Sequence, residues 1–485
     1  MPFATYPEVM MYDKVGGKKI QQLIWGDYIA IKEPVKKKTD EEGEEWVYVR
    51  SRRTNGWVKT EQTLQDRLLE VNFVDVGQGD GCFIVTPDDE LIIIDAGEED
   101  HMYRFLKWRF SDFKKGKKFQ SIVISHGDKD HYYGFNKLFE DQYFDVETIY
   151  HNGIVDRVTN DELGKTKLYR DERYLKELMD DPQDMKNLVD DPNKVGRKLY
   201  PMTIRNGLSK TNDIKMLCQE KKHLGNYTNP NKLEIKVLGP YVERDRNKKM
   251  IMKVHGDTGE TKNGNSIILK LIINKISILL GGDLNSESEK YLIHKYTNLD
   301  PTPDSIPELN KLLGAARKTF ECDFAKACHH GSADFTETFL QCVNPVATIV
   351  SSGDDEPYCH PRPDALGAIG KYSRGVRPLI YSTELARSTK ENVKQVSMIR
   401  QTIEKLEEKK RKETDETKKA AIEKKIGKEW GKLERSIAVY GMIYLRTDGE
   451  KAIIAQKLER PRRSSAEWDI CEFKIGMSGK LEYIP

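Results

Sequence analysis

From Leu69 onward, short apolar runs alternate with amphipathic stretches. Glu70–Val76 alternates apolar and polar residues as a strand does, while Cys82–Val85 and Leu91–Ile94 are short continuous apolar runs. Tight turns separate them, at Gly77-Gln78-Gly79-Asp80-Gly81 and at Pro87–Asp89. Residues 101–120 set Met102, Phe105, Leu106, Trp108 and Phe110 at helical spacing, and Phe119 with Ile122–Ile124 reads as a buried strand. A short helix and the strand Val146–Tyr150 follow. Strand, helix and strand in succession predict an α+β sheet covered by helices. Residues 155–230 are rich in Lys, Asp, Glu and Asn, with apolar positions such as Leu168, Tyr174, Leu175 and Leu178 recurring at helical spacing, which predicts a solvated helical insertion. Strands resume at Leu233–Leu238, Asn265–Ile273, Ile276–Leu280 and Ala347–Ser352. Over 388–435, Ile399, Ile403 and Leu406, then Ala421, Ile422, Ile426 and Trp430, lie at helical spacing on either side of KKRKETDET, predicting a charged helical hairpin. Ile437–Leu445 and Ala452–Leu458 read as a β-hairpin, and Trp468–Ile484 as another.

Residues 1–65 have a different texture. Short apolar and aromatic bursts, Gln22–Ile31, Glu45–Arg50 and Gly56–Lys59, flank the charged loop KKKTDEEGEE, as in a small β-barrel. The pattern set by Trp46, Val49, Gly56 and Trp57 resembles bacterial SH3-like domains and implies a docking module, with the Trp side chains mostly in its core. The chain thus divides into a barrel over 1–65 and a larger domain over 66–485, with insertions at about 155–230 and 388–435.

Charge changes this picture little. The 80 Lys and Arg nearly cancel the 78 Asp and Glu, so a nucleic-acid partner would need a local basic patch. Seven cysteines without a CxxC pair read as reduced thiols, and the N-terminus lacks an apolar signal core. The longest apolar stretch, Ser266–Leu280, is interrupted by Lys270, Asn274 and Lys275. A soluble cytoplasmic protein with no membrane partner is expected.

The candidate chemistry concentrates in Ser121–Gly134, SIVISHGDKDHYYG. After the buried strand come His126, Asp128, Asp130 and His131, two imidazoles and two carboxylates within six residues. Drawn together at a strand end, the carboxylates would repel without a cation among them. A two-metal site is expected, with His126 and Asp128 on one ion and Asp130 and His131 on the other. Ligand-type residues recur at other strand ends. Asp95 follows Leu91–Ile94 and either orients a ligand of the His/Asp block or caps a turn. Asp283 follows Gly281-Gly282 and is placed to bridge two cations. His329 and His330 stand in ACHHGS, His360 lies between Cys359 and Pro361, and His151 is either a further ligand or an ordinary strand-end histidine. The GQGDG turn is a weak phosphate-loop signal, because no helical pattern follows it.

Taken together, VDVGQGDG, IIIDAG, SHGDKDHYYG, LLGGDL, ACHHGS and SSGDDEPYCHPRPDAL resemble the metallo-β-lactamase fold, and within it the hydrolase domain of ComEC DNA-uptake proteins and their soluble relatives. The resemblance covers about residues 68–385 and the hairpin near 440–458. It implies an αββα sandwich with a dinuclear site at one edge. It also implies His126, Asp128, Asp130, His131, Asp283 and His329 (or its neighbour His330) as ligands, and His360 as phosphate binder or general acid. Asp95, Asp80 and His330 are cast as supporting residues. Many members of that superfamily carry His where this chain has Asp128, and no confident third-motif histidine is present. An added carboxylate favours Mn²⁺ or Mg²⁺ over Zn²⁺. Two cations about 3.5–4 Å apart would activate water, with Asp130 orienting it and His360 protonating the leaving group. The expected activity is a phosphodiesterase, most specifically a DNA nuclease. Alternatives are hydrolysis of a small ester, lactone or nucleotide, or the nuclease-like effector of a multi-protein system such as antiviral defence. A protein partner is expected to dock through the barrel or the helical hairpin.

Overall fold

The structure, a computed structural model, describes residues 2–31, 33–52, 54–110, 113, 117–353, 358–375, 377–383, 390–436, 442–458 and 466–485. Two large sheets face each other. The first has ten strands in the spatial order Asp213–Met216, Asp145–His151, Lys118–Val123, Leu91–Ala96, Gly81–Val85, Leu69–Phe73, Ile443–Thr447, Lys451–Lys457, Trp468–Ile475 and Leu481–Ile484. The second has seven, His223–Asn229, Leu233–Gly239, Ile268–Ile273, Ile276–Leu280, Phe324–Lys326, Ala347–Val350 and Leu379–Ser382. Each sheet is antiparallel on one side and parallel on the other. The parallel pairings are 91–96 with 118–123 with 145–151 with 213–216, and 276–280 with 324–326 with 347–350 with 379–382.

Burial on both faces explains why these strands read as continuous apolar runs. Ile92, Ile94 and Val123 point between the sheets, against Leu269, Leu271, Ile278, Leu280 and Phe324. Their neighbours Ile93, Ile122 and Ile124 point outward, under Met102, Phe105, Phe135, Leu138 and Ile204. On the far side, Ile268, Leu279 and Ala325 are covered by Leu292, Leu312, Phe320 and Phe339. The layers are therefore helix, sheet, sheet, helix, an α+β sandwich as expected from the sequence. Among the described residues no helix is long and apolar enough to cross a membrane.

The insertion at 155–230 differs from its helical expectation. Thr166–Tyr169 and Glu172–Leu175 form a hairpin in a four-stranded sheet with Met250–Lys253 and Val242–Arg244, and only Pro182–Val189, Pro192–Val195 and Leu199–Leu208 are helical. Tyr174 and Leu175 are adjacent and both buried, because the hairpin is covered on both faces, and that packing defeats a periodicity count. The hairpin over 388–435 is present as helices Lys390–Lys412 and Glu416–Ser436, which meet through Ile403, Ile422 and Ile426. Residues 437–441 and 354–357, parts of the expected β-hairpin and of the GDDEP segment, lie outside the described residues.

The N-terminal strands form a six-stranded sheet around Val9, Met11, Leu23, Val47, Val49 and Val58. Ile24 and Trp25 leave this core and join the outer core of the sandwich. Gln22 Oε1 accepts from the Trp468 amide at 2.8 Å, so the N-terminal sheet is tied to the last strands of the first sheet.

One buried acid gives the fold a pH dependence. Glu289 accepts from Thr336 N at 2.6 Å and Thr336 Oγ1 at 2.8 Å, and burial pushes its carboxyl up to about 8. The unfolded chain releases that proton near pH 4.5, whereas the folded chain keeps it to about pH 8, so this group lowers stability as pH rises between those values. Glu289→Gln removes the titration while keeping the acceptor. The variant is expected to match wild type closely at pH 5 and to be more stable at pH 8.5, by about 4 kcal/mol, in urea titrations at both pH values. An equal difference at both would show that Glu289 is ionised in the fold.

Candidate metal centre

The chemistry-bearing residues gather at one edge because parallel strands deliver their carboxyl ends to the same side. The first sheet contributes Asp95 from the end of 91–96, and Ser125 to His131 from the loop and short helix after 118–123. The second contributes Asp283 after 276–280, Lys326 to His330 at the end of 324–326, and Ser351 after 347–350. Residues nearly 200 positions apart in the chain thus become neighbours.

At the centre, His131 Nε2 and His330 Nε2 each lie 3.1 Å from Asp283 Oδ2 and 3.3 Å from one another. Asp130 Oδ2 is 3.5 Å from His330 Nε2. The opposite nitrogens have partners already. His131 Nδ1 is 2.8 Å from Asp95 Oδ2, and His330 Nδ1 is 3.0 Å from the Ser351 carbonyl and 3.2 Å from Asp80 Oδ1. Protons on Nδ1 satisfy those carbonyl and carboxylate acceptors and leave the Nε2 lone pairs aimed at a carboxylate oxygen.

His126 repeats the arrangement. Its Nδ1 lies 3.0 Å from Ser125 Oγ and 3.3 Å from Ser266 Oγ, and those hydroxyls donate to Asp95 Oδ2 and the Asn263 carbonyl. The Nδ1 proton therefore belongs to His126, and its fully buried Nε2 has no hydrogen-bond partner. His126, His131 and Asp283 form one cluster able to hold a cation, and Asp130, His131 and His330 another. Buried lone pairs facing each other about 3.3 Å apart match the edge of a tetrahedron of ligands about 2.0–2.1 Å from a central ion. The donor set fits a divalent cation.

Burial alone would lower the basicity of His131 and His330, yet Asp283, with Asp95 beside His131 and Asp80 beside His330, raises both well above an ordinary imidazole. Asp283 is correspondingly held far below the usual carboxylate range, against its burial, by His131, His330 and Lys326.

Lys326 has no counterpart in the sequence reading. Its ammonium is buried, paired with Asp80, 3.0 Å from the Gly282 carbonyl and 3.5 Å from Asp283 Oδ1. The only signal for it was a lysine inside the otherwise apolar strand preceding Cys328. Asp80 reaches this pair because the GQGDG turn packs against the ligand loop rather than forming a phosphate cradle. Gly79 has φ +99°, and a Cβ there would sit 1.8 Å from the Asp130 carbonyl.

Asp128 stands at the margin. Its Oδ2 is 3.7 Å from His126 Nε2, while its Oδ1 is 3.0 Å from Lys262 Nζ, which also holds Asp156 at 3.2 Å. Burial raises the Asp128 carboxyl, but His126 and Lys262 overcome this and bring it down to about 2. His329 differs from its expected place. His329 and His330 both adopt positive φ, +47° and +54°, and this costly pair of left-handed residues sets His330 against Asp283, while the His329 ring stands 5.6 Å from that of His360. The inward histidine is His330. Gly331 completes the turn at φ +77°, where a Cβ would stand 2.8 Å from Pro361 Cβ. His360 lies at the mouth, its ring 6.4 Å from that of His330. His151 is separate, since its buried Nδ1 accepts from the Gly153 amide at 3.0 Å and burial lowers its basicity to about 3.

Asp95 accepts from Ser125 N at 2.8 Å and Ser125 Oγ at 2.6 Å as well as facing His131. Asp95→Asn keeps the shape and weakens the hold on the His131 tautomer. Metal affinity is expected to fall about 10- to 100-fold, read by competition with a chelating dye. Unchanged affinity would remove Asp95 from a positioning role.

This architecture, with a His/Asp cluster at the shared carboxyl edge of two sheets, defines a metallo-β-lactamase-type sandwich. The metallo-beta-lactamase superfamily profile matches residues 77–207, so the chain carries a domain of that superfamily. A stretch of 114 residues, 23% of the chain, is 27% identical to ComE operon protein 3 of Bacillus subtilis (strain 168), and spans 12% of that protein. Among solved structures, the chain is similar to Tm1679, a metal-dependent hydrolase of the beta-lactamase superfamily, at 12% identity, TM-score 0.32, 65% of this chain and 97% of that one. It is also similar to a variant of CmlA beta-hydroxylase at 11% identity, TM-score 0.32, 66% of this chain and 54% of that one.

Proposed function

We propose that the protein is a metal-dependent hydrolase acting on phosphodiesters, with DNA as its substrate class. The observation that carries this reading is the buried convergence of His131 Nε2, His330 Nε2 and Asp283 Oδ2, donors that face one another with their protons turned elsewhere. His126, Asp128 and Asp283 would hold one cation, and Asp130, His131, His330 and Asp283 a second. Such a pair supplies an activated water and neutralises charge on a phosphoryl oxygen. The mix of three or more carboxylates with imidazoles favours Mn²⁺ or Mg²⁺, with Zn²⁺ as the alternative.

The chain's own groups do the rest. Asp95 and the Ser351 carbonyl hold the Nδ1 protons of His131 and His330, so that neither ring turns. Asp130 Oδ2, at the cluster's margin, accepts the proton of the attacking water and orients it. His360 at the mouth donates a proton to the leaving alkoxide, with His329 beside it. Lys326 keeps a fixed positive charge behind Asp283, which limits the repulsion among buried carboxylates and favours an anionic substrate. The resemblance of VDVGQGDG, SHGDKDHYYG and ACHHGS to the hydrolase domain of ComEC DNA-uptake proteins supports DNA as the substrate class.

The test uses metal-stripped protein refilled with Mn²⁺, Mg²⁺ or Zn²⁺ and incubated with single- and double-stranded DNA, beside an Asp130→Ala, His131→Ala variant. Metal-dependent cleavage lost in the variant is expected. Bound metal with turnover of a small ester, lactone or nucleotide but of neither DNA would reassign the substrate. No bound metal under any condition would end the hydrolase reading.

A further inference from the structure

The nearly neutral chain contains one cleft that departs from balance. It has a volume of about 950 Å³ and lies between the 166–175 hairpin, the helices Pro182–Val189 and Pro192–Val195, and the loop following Val242–Arg244. Seven of its lining residues are Lys or Arg and four are Asp or Glu, a local excess of three positive charges where the whole 485-residue chain has two. Some of these cations are already engaged. Arg157 and Lys165 share Glu177, Arg244 holds Glu220, and Lys194 reaches Asp191. Lys176, Lys248 and Lys249 are exposed, and among the described residues no carboxylate lies within ion-pair distance of them. Leu178, Met179 and Met250 give the same cleft an apolar floor.

We infer that this cleft binds the sugar–phosphate backbone of a single-stranded nucleic acid. The inference rests on the phosphodiesterase reading above and extends it. A chain of ion pairs links the cleft wall to the metal centre. Arg157 on its wall follows Asp156, whose carboxylate holds Lys262, which in turn holds Asp128 at the edge of the ligand cluster. A strand lying across Lys176, Lys248 and Lys249 would rest on a wall that Arg157 and this ion-pair chain link to the ligand cluster. Cations at intervals over an apolar floor suit a polymer that alternates phosphates and bases, whereas a small phosphodiester would need only the metal centre.

The test separates binding from cleavage. Anisotropy of a labelled single-stranded oligonucleotide is measured against the full-length protein in EDTA at several KCl concentrations, for wild type and for K176E/K248E/K249E. Turnover of bis(p-nitrophenyl) phosphate with Mn²⁺ serves as a second readout. The reversal is expected to weaken DNA binding about 10- to 100-fold and to flatten the salt dependence by about two, three contacts at about 0.7 each. Turnover of the small diester should stay at the wild-type value, since none of the three lysines touches the ligand cluster. If the reversal impairs folding, the glutamine triple variant carries the comparison, with a smaller loss in the same direction. Equal affinity and salt slope in wild type and variants would overturn the inference even if DNA is cleaved, as would wild-type binding to a multiply phosphorylated peptide matching that to DNA. Charge-dependent DNA binding without any cleavage would keep the cleft and remove the nuclease reading.

Discussion

Asp283→Asn is expected to reduce hydrolysis by on the order of 10³-fold or more and to lower bound metal in the same preparation. Asp283 Oδ2 is the one atom in close contact with both inward imidazoles, at 3.1 Å to each, and Oδ1 faces Lys326 at 3.5 Å. Asparagine preserves volume but removes a charge from a site that is almost wholly buried. A donor amide in the Nδ2 position would point at His131 and His330 and place hydrogens where lone pairs now converge. The effect should exceed that of Asp95→Asn, because Asp95 acts through His131 and Asp283 faces the cation positions themselves. Metal content by mass spectrometry and turnover of DNA and of a small diester measure both consequences. An Asp283→Asn protein with full metal content and full turnover would show that the cluster is structural.

Arg446→Met should cost about 3–5 kcal/mol in stability, the range for breaking a buried ion pair by removing one partner. Arg446 Nη1 donates to the Trp25 carbonyl at 2.6 Å and to Asp27 Oδ1 at 2.9 Å, while Nη2 lies 3.4 Å from Glu70 Oε2. Glu70 is also held by Arg109 at 2.8 Å. One buried guanidinium thus ties the N-terminal sheet to two strands of the first large sheet. Methionine fills much of the volume and leaves Asp27 and Glu70 short of a counter-charge. Urea denaturation reads the loss, and limited proteolysis should show the first 65 residues becoming cleavable before the sandwich. A loss below about 1 kcal/mol would mean that the network is offset by its own desolvation. The same network carries an acid dependence. Burial raises the Glu70 carboxyl, but Arg109 and Arg446 together bring it down to about 2. Its contribution is present above pH 4.5, the unfolded value, and fades as pH falls toward 2.

The sandwich strands were readable in the sequence because burial on both faces demands unbroken apolar runs, and Leu91–Ile94, Ile122–Ile124 and Ile276–Leu280 supply them. The clustering of the His/Asp block was readable for a local reason. His126, Asp128, Asp130 and His131 lie so close in the chain that any strand-to-helix turn brings them together. The helical hairpin was readable because Ile403, Ile422 and Ile426 need only pack against each other. What only the tertiary structure decided depends on contacts between distant segments or on backbone angles. His330 rather than His329 faces Asp283 because two consecutive residues take positive φ, which no residue count reveals. Lys326 was invisible as a site residue until the GQGDG turn carried Asp80 to it across nearly 250 residues of chain. Likewise Lys262 claims Asp128, and Arg446 holds Asp27 of the N-terminal segment, because each charge finds its partner on another element. Spacing along the chain determined which groups could act together locally; the folded packing determined the partner of each buried charge, since an ion taken out of water must be met by whatever the rest of the fold brings beside it.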